Sequence, residues 1–392
     1  MAFPERFSNL PEYAFPRLRA LLNDVPAGGD PIAMSLGEPQ HPIASWIPEV
    51  IAEATLEFGS YPINSGTPEL RAAISDWIKR RYAVAQPADQ IMVLNGSREG
   101  LFAASMALSP EMKSGKAAKV LMPNPFYQVY AVGAVAAGAT PVYLPATADT
   151  GFLPDFQAVS PDVLDQTTLA FICSPANPQG AVASMDYYKD LLALAEKHDF
   201  KIVSDECYSE IYTGKPPSSA LQAATAFGAD PERVVVINSL SKRSSVPGLR
   251  SGFVASGPAN IAEFNKLRAY SGAPVPGPLQ RVAERLWADE DHVVQNRALY
   301  AEKFAAAHQI FADVPQVTIP EGGFFLWMDA GDGEAACRKL WRETGVRVLP
   351  GAYLARDVDG QNPARNFIRV ALVAPKEETQ RGLTMIRDCL FN

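Results

Sequence analysis

The sequence has 392 residues, of which 47% are hydrophobic and 20% are charged, with 35 Lys and Arg residues against 43 Asp and Glu residues. This composition is that of a folded globular chain and excludes wholesale disorder, and the length predicts two or three domains. The formal net charge of −8 argues against a nucleic-acid-binding protein, because phosphate contacts need a basic surface.

The cysteine spacing and the hydropathy pattern indicate the cellular compartment of the protein. The four cysteines are far apart, with no C-x-x-C pair and no His at metal-ligand spacing, so we expect reduced thiols and no metal site. Residues 1–18 carry charges and prolines where a signal peptide has an apolar core, and no apolar stretch approaches the ~20 residues that span a bilayer. The sequence therefore predicts a cytoplasmic protein without membrane segments.

Between residues 90 and 240, short apolar runs alternate with helical stretches. Runs of four or five apolar residues without polar alternation are typical of parallel strands buried on both faces. The predicted strands are 90–94, 119–122, 141–144, 169–173, 201–204 and 233–237, and the predicted helices include 98–108, 126–137 and Met185–His198. This alternation predicts an α/β fold with a large, doubly wound and mostly parallel sheet.

The last third of the chain has a different pattern. A helical stretch at 280–312, broken near 289–291, precedes predicted strands at 317–319, 324–328, 346–349 and 367–372 and helices at 334–344 and 376–390. Because strands and helices do not alternate strictly, we expect a smaller α+β domain. The predicted division is an N-terminal arm with part of the small domain (1–45), a large domain (46–280) and a C-terminal small domain (281–392), with 271–278 as a candidate hinge or linker.

Polar residues follow the predicted strands at their carboxyl ends, the edge where open α/β sheets bind ligands. The motifs of nicotinamide, nucleotide-hydrolysing, α/β-hydrolase and zinc-protease sites are absent. The strand ends carry instead Gly96-Ser97-Arg98, Tyr127, Asn177, Asp205-Glu206-Cys207-Tyr208 and Ser239-Leu240-Ser241-Lys242, with Arg250 eight residues later.

Together these residue types suit one cofactor, pyridoxal 5′-phosphate (PLP). A lysine amine can form a Schiff base with its aldehyde, and an acid can keep its pyridine nitrogen protonated. A glycine and a hydroxyl at the start of a helix form a phosphate cradle from free backbone N–H groups.

The ordered motifs resemble those of class I/II aminotransferases, PLP-dependent enzymes of fold type I, over essentially the whole chain. These motifs are S-L-G-E-P (35–39), Y-P-I-N-S-G-T-P-E-L-R (61–71), N-G-S (95–97), N-P (177–178), D-E-x-Y (205–208), S-x-S-K (239–242), R-x-G (250–252) and I-R-V (368–370).

The resemblance implies a role for each matching residue. Lys242 would be the Schiff-base lysine and proton carrier, Asp205 would pair the pyridine nitrogen, and Tyr208 would bond the 3′-oxygen together with Asn177. The other implied contacts are ring stacking by Tyr127, phosphate binding by Gly96, Ser97, Arg98, Ser239 and Arg250, binding of the partner subunit's phosphate by Tyr61 in a homodimer, and α-carboxylate binding by Arg369 with Asn177 and Gly37.

Longer segments closely resemble the proteobacterial succinyldiaminopimelate aminotransferases of lysine biosynthesis. They include Y-A-F-P-R-L-R-A-L-L (13–22), N-P-F-Y-Q-V-Y (124–130), S-L-S-K-R-S-S-V-P-G-L-R-S-G-F-V-A (239–255) and L-P-G-A-Y-L-A-R (349–356). The implied reaction transfers an amino group between glutamate and N-succinyl-2-amino-6-oxopimelate. The residues that would bind the distal carboxylate are not fixed by a motif, and Arg17, Arg19 and Arg98 are candidates.

Three alternative functions are weighed against this interpretation. The protein could be an aminotransferase for another amino acid, or a PLP-dependent carbon–sulfur β-lyase on the same fold. A PLP-binding transcription regulator would need a basic helix-turn-helix domain before residue 30, where there is no room for one. Glu206 is the alternative to Asp205 as the acid beside the pyridine nitrogen.

Overall fold

Residues 4–392 are described by the structure, a computed structural model, and two sheets of unequal size organise them. The α-helices of this range are α1 (Ala14–Leu22), α2 (Ile47–Glu53), α3 (Pro68–Tyr82), α4 (Ser97–Leu108), α5 (Val129–Ala136), α6 (Pro161–Leu164), α7 (Met185–His198), α8 (Ala220–Phe227), α9 (Leu240–Arg243), α10 (Pro258–Ser271), α11 (Gly277–Ala288), α12 (Asp291–Ile310), α13 (Gly333–Thr344) and α14 (Lys376–Leu390). The strands are β1 (Ile32–Ala33), β2 (Ile91–Leu94), β3 (Met112–Lys113), β4 (Lys116–Ala117), β5 (Lys119–Asn124), β6 (Thr140–Pro145), β7 (Thr167–Cys173), β8 (Lys201–Asp205), β9 (Val234–Ser239), β10 (Gly252–Ala255), β11 (Val317–Thr318), β12 (Phe325–Asp329), β13 (Val346–Arg347), β14 (Leu349–Pro350) and β15 (Phe367–Ala371).

The large sheet has seven strands in the order β2-β10-β9-β8-β7-β5-β6. Neighbouring residues of a strand enter two different cores: Ile91 and Val93 pack on one face, and Met92 and Leu94 on the other. Helices cover both faces, so every side chain of β2, β7 and β9 is buried. The prediction of a doubly covered, mostly parallel sheet is confirmed.

One strand of this sheet was not predicted. β10 runs antiparallel between β2 and β9, and Gly252 pairs with both Leu94 and Ser239. It has four residues and follows β9 without a crossover helix of ordinary length, so the strand–helix alternation that indicated the other strands is missing here.

The smaller sheet has four antiparallel strands in the order β11-β12-β15-β14, and α12, α13 and α14 pack together beside it. The N-terminal part of the chain joins this region, because β1 pairs with β13 in parallel and α1 packs on α13. The predicted smaller α+β domain is confirmed.

The connections between the two regions bear on the predicted division of the chain. The predicted boundary at residue 280 lies inside α11, which packs against α2 and α3 on the large-sheet side. The glycine- and proline-rich residues 272–276 connect α10 to α11. The division into domains stays a prediction.

Two further findings concern the whole described range. Within residues 4–392, no helix is both long and apolar enough to cross a bilayer. All four cysteines are free, and Cys173, Cys207 and Cys337 are buried.

Candidate active site

A cleft of about 280 Å³ opens at the carboxyl edge of the large sheet, where β12, β14 and β15 of the smaller sheet face it. Of the thirteen residues predicted to form a site, eleven line this cleft. They are Gly37, Ser97, Arg98, Tyr127, Asn177, Asp205, Tyr208, Ser239, Lys242, Arg250 and Arg369.

Lys242 lies in the short helix α9, directly after the strand end at Ser239. Its Nζ donates a hydrogen bond to the carbonyl of Gly37 and lies 5.1 Å from the ring centre of Phe324. Burial lowers the pKa of this amine to about 8, and the nearby Arg369 and Arg250 act in the same direction. The neutral amine, which a nucleophile or proton acceptor requires, is therefore more populated near neutral pH than in an ordinary lysine.

Asp205, the last residue of β8, has a buried carboxylate without an ion-pair partner among the described residues. Its Oδ2 accepts a hydrogen bond from the Tyr130 hydroxyl at 2.7 Å, and its Oδ1 accepts one from the backbone N–H of Cys207 at 3.3 Å. Burial raises the pKa of this carboxyl. A buried carboxylate that faces a cleft and lacks a cation fits the protonated ring nitrogen of PLP.

Arg369, on β15, is a second buried charge that has no counter-ion among residues 4–392. Its Nη1 donates to Oδ1 of Asn177 at 3.0 Å, its Nη2 donates to the carbonyl of Ser35 at 2.9 Å, and its Nε is buried without a partner. Burial lowers the pKa of the guanidinium to about 10. A guanidinium in this condition fits a carboxylate ligand, which can accept two parallel hydrogen bonds.

The start of α4 has the features of a phosphate cradle. Gly96 precedes the helix with φ of +80°, a backbone conformation that favours glycine, and a Cβ on it would lie 2.3 Å from Nη2 of Arg250 and displace that guanidinium. Arg250 donates to the carbonyls of Asn95 and Pro247, both at 2.9 Å. Ser97, the first residue of α4, lines the cleft, as does Ser239, so hydroxyls, helix N–H groups and a guanidinium meet at one place.

The wall beside this cradle carries Arg98 and Tyr127. Arg98 Nε donates to the Tyr127 hydroxyl at 2.7 Å, and this hydrogen bond raises the pKa of the guanidinium. Of the three arginines considered for a distal carboxylate, only Arg98 lines the cleft. Arg17 instead lies 3.8 Å above the Tyr353 ring and forms ion pairs, and Arg19 is exposed outside the cleft.

Two predicted residues and one alternative lie elsewhere. Gly96 is set behind Arg250, and Tyr61 is fully exposed outside the cleft of its own chain. Glu206 does not line the cleft: its Oε1 accepts hydrogen bonds from Ser204, Ser219 and the backbone of Ala220 at 2.8–3.0 Å.

Sequence reasoning missed several residues of the site. Tyr130, which lies in α5 behind the cleft and bonds Asp205 through its hydroxyl, was not singled out, and Tyr127 precedes that helix, so no helical spacing relates the two. Tyr13 and Phe15 reach the cleft from the N-terminal segment, and Leu354 from the C-terminal part of the chain. No local pattern could bring together residues so distant in sequence.

The chain resembles known proteins over nearly its whole length. A family model described as aminotransferase class I and II matches residues 30–386. The LL-diaminopimelate aminotransferase of Dehalococcoides mccartyi is 30% identical over 399 residues, which cover 99% of both chains. The corresponding protein of Desulforudis audaxviator is 30% identical over 403 residues, covering 100% of this chain and 99% of that one.

Solved structures agree with these sequence relatives. An aminotransferase from Neisseria meningitidis superposes with a TM-score of 0.94 and 37% identity, over 99% of this chain and 100% of that chain. The aminotransferase AspB from Helicobacter pylori has a TM-score of 0.90 and 32% identity, over 100% of both chains.

Proposed function

Because the chain belongs to the class I and II aminotransferase family, a family of PLP-dependent enzymes, we propose that glutamate is its amino donor and N-succinyl-2-amino-6-oxopimelate of lysine biosynthesis its acceptor. The observation that carries this proposal is the presence, in one cleft, of a buried lysine amine and of a guanidinium for which the described part of the chain supplies no counter-ion. These groups suit an amino acid whose amine and α-carboxylate are bound at the same time.

The roles of the chain's own residues follow from their contacts. When bound, PLP withdraws electrons from the substrate α-carbon. Asp205 holds the proton at the ring nitrogen, and Tyr130 holds Asp205 in place. Arg369 would bind the α-carboxylate and thereby orient the α-carbon. Lys242 would move a proton between that carbon and C4′ of PLP, in one direction with the amino donor and in the other with the acceptor.

The substrate assignment depends on the far end of the ligand. Glutamate and the succinylated acceptor both carry a carboxylate at a distance from the α-carboxylate. Arg98 lines the cleft in addition to Lys242, Arg250 and Arg369, and it supports this assignment as the cation proposed for the distal carboxylate. Tyr13 and Phe15 line the same cleft. A substrate too short to reach Arg98 would leave a partly desolvated charge unpaired.

A second candidate is favoured by the sequence relatives. The named relatives at 30% identity are LL-diaminopimelate aminotransferases, so the same carbon chain without the succinyl group is an alternative substrate. The other rival, a carbon–sulfur β-lyase, would release pyruvate and ammonia from cystathionine without needing a 2-oxo acid.

The test is a screen of half-reactions, in which amino donors are added to the PLP-loaded protein and the cofactor absorbance is followed, and 2-oxo acids are then supplied. We expect kcat/KM for glutamate with the succinylated acceptor to exceed that for aspartate or aromatic donors by at least about tenfold, or ~1.4 kcal/mol. Arg98→Met should reduce this preference, and Arg19→Met, an exposed arginine outside the cleft, is the matched control. Equal rates with aromatic or sulfur amino acids would contradict the assignment, and turnover of LL-diaminopimelate alone would favour the second candidate.

We also propose that the protein works as a homodimer in which Tyr61 reaches the site of the partner. The supporting observation is a run of exposed apolar side chains around Tyr61, which is itself fully exposed, with Leu56 93%, Phe58 57% and Ile63 52% exposed. A mixture of Lys242→Ala and Tyr61→Ala subunits should regain activity through hybrid dimers with one intact site. Absence of any regain in a mixture shown to exchange subunits would contradict the shared site.

A further inference from the structure

Lys303, on α12, is a buried cation that the proposed reaction does not use. It is 2% exposed, and its three N–H bonds are directed to Nε2 of His41 at 2.7 Å and to the carbonyls of Leu372 and Val373 at 3.1 and 3.3 Å. No carboxylate of the described residues pairs with it, and burial lowers the pKa of the amine to about 8. A buried charge without a counter-ion costs stability, so packing alone does not account for this arrangement.

His41 forms hydrogen bonds with both Lys303 and a third side chain, Asn296. Because its Nε2 accepts from Lys303, its Nδ1 carries the proton and donates to Oδ1 of Asn296 at 2.6 Å. The two hydrogen bonds select this tautomer, and burial lowers the pKa of the imidazole, which favours its neutral form. The ring also packs on Tyr300 at 4.3 Å between ring centres.

Asn296 connects the network to the main chain of the active-site lysine. Its Nδ2 donates to the carbonyls of Lys242 and Arg243, both at 3.2 Å. A second link runs beside it, because the Ser245 hydroxyl donates to the carbonyl of His41 at 3.1 Å. The segment that carries Lys242 is therefore attached to His41 at two points.

The opposite end of the network lies next to the carboxylate-binding strand. Leu372 and Val373 directly follow β15, the strand of Arg369. His41 also lies four residues after Gly37, whose carbonyl accepts the hydrogen bond of Lys242 Nζ. The same short network thus contacts the end of the Arg369 strand and the segments that hold both the main chain and the amine of Lys242.

We propose that Lys303, His41 and Asn296 form a positioning relay that holds the Lys242 amine at a fixed place relative to Arg369. None of the three lines the cleft, so each acts through Lys242 and not on the substrate. The inference rests on the proposed roles of Lys242 and Arg369, and it assigns to this site a support that lies outside the cleft.

The test compares two disrupting variants with two controls. Lys303→Met and His41→Leu break the relay, whereas His41→Gln keeps one acceptor for Lys303 and one donor for Asn296. Lys113→Met is the matched control, because the Lys113 amine likewise donates three hydrogen bonds, in its case all to main-chain carbonyls. These are the carbonyls of Thr167, His198 and Asp199, at the amino end of β7 and away from the cleft. The measurements are kcat and KM for the amino donor that the wild type uses best, the pH midpoint of the bound cofactor's absorbance, and Tm.

We expect Lys303→Met and His41→Leu to lower kcat by about 10- to 100-fold with KM changed less than about threefold, as displacement of a reacting group does. The absorbance midpoint should shift by at least about half a pH unit in both, because the Lys242 nitrogen, which would be part of the Schiff base in the loaded protein, titrates according to its position among charged neighbours. His41→Gln should restore both values towards the wild type, and Lys113→Met should change only Tm.

The relay is wrong if Lys303→Met keeps the wild-type kcat and midpoint, or if Lys113→Met at a similar loss of Tm reproduces both changes. The role of Lys242 itself is checked separately, by borohydride reduction and peptide mapping of the wild-type protein. Failure of that mapping would overturn the proposed function, whereas failure of the variants alone would overturn only the relay.

Discussion

Two adjacent acids at the end of β8 have the same burial and opposite surroundings. Asp205 faces the cleft and holds two hydrogen bonds, one to each oxygen, so its carboxylate remains open to a ligand. Glu206 faces the packing between β8 and α8, where two hydroxyls and a backbone N–H surround one of its oxygens and the other has no partner. Burial of an acid is therefore not a mark of function. What distinguishes the two is whether the partners leave a side open to a cavity.

The same contrast separates two buried arginines. Arg369 contacts only neutral groups and faces the cleft. Arg243, one residue after Lys242, is 1% exposed, forms an ion pair with Glu290 at 2.8 Å and lies over the rings of Trp77 and Trp287. Its charge is matched within the chain, so it is a structural cation, and Arg369 is the one that still lacks its anion.

The largest expected effect comes from removal of the Lys242 amine, which lines the cleft. Lys242→Ala removes the group that moves the proton, so turnover should fall at least about 10³-fold, while PLP should still bind through the phosphate and ring contacts. Kinetics of the PLP-loaded variant measure the loss of turnover, and fluorescence titration of the cofactor measures PLP binding. Borohydride reduction of the wild type should label the peptide that contains Ser241 and Lys242, and a label on another lysine would contradict the assignment.

The two acids themselves should respond differently to removal of their charge. Asp205→Ala should lower kcat/KM by about 100-fold and weaken PLP binding by ~1.5–3 kcal/mol, because a charge-assisted hydrogen bond is lost. Glu206→Gln, which keeps the shape of the side chain, should leave kcat/KM within about threefold. If the Asp205 variant transaminates almost normally and the Glu206 variant does not, the roles of the two acids are reversed.

Both buried acids should contribute to the pH dependence of stability, because burial raises the pKa of Asp205 and of Glu206, and a Glu206 variant isolates the second contribution. Burial raises the pKa of Glu206 to about 7. Between the ordinary pKa of a glutamate and pH 7, the folded protein therefore holds a proton on Glu206 that the unfolded chain has released. This contribution stabilises the protein at low pH and is lost as the pH rises, by about 2 kcal/mol between pH 5 and pH 7. Urea unfolding of the cofactor-free protein at several pH values should show this decline, and Glu206→Gln should flatten it. An unchanged slope in that variant would exclude Glu206 as its source.

The smallest expected effect is on kcat and comes from removal of the Tyr130 hydroxyl, which bonds Asp205, in comparison with the Tyr188 hydroxyl near Ser204. Tyr130→Phe removes the hydroxyl bonded to Asp205 and should lower kcat by about five- to tenfold, the equivalent of one hydrogen bond of ~1 kcal/mol. Tyr188→Phe removes a buried hydroxyl 3.3 Å from Ser204 on the other side and should leave kcat unchanged. Equal kcat values for the two variants, measured at saturating donor, would show that Tyr130 does not act through Asp205.

The sequence predicts the parts of the site that follow from one strand at a time. Asp205 and Ser239 end apolar runs, and Lys242 follows the second of these directly, so the strand pattern alone places all three at one edge. Most element bounds agree within three residues, and Met185–His198 agrees at both ends, because an N-cap serine and regular leucine spacing fix that helix locally.

What the sequence does not predict depends on contacts between distant segments. Arg369 is indicated only by a family motif, since its strand looks like any strand of the smaller sheet. The hydrogen bond of Tyr130 to Asp205 joins residues that are 75 positions apart, and the contact of Lys303 with His41 joins residues 262 positions apart. Such pairs are set by how helices pack on the sheets, which hydrophobic periodicity does not encode.

The antiparallel strand β10 has a consequence for how this chain tolerates change. Ser239 and Gly252 are paired neighbours in the sheet, so residues 240–251 form a closed loop whose two ends are held together. Lys242 and Arg250 both lie in that loop, and Ser245 and Arg250 adopt left-handed backbone conformations within it. The distance between the amine and the phosphate-binding guanidinium is therefore set by loop length. One inserted or deleted residue would separate two groups that must act on the same small molecule.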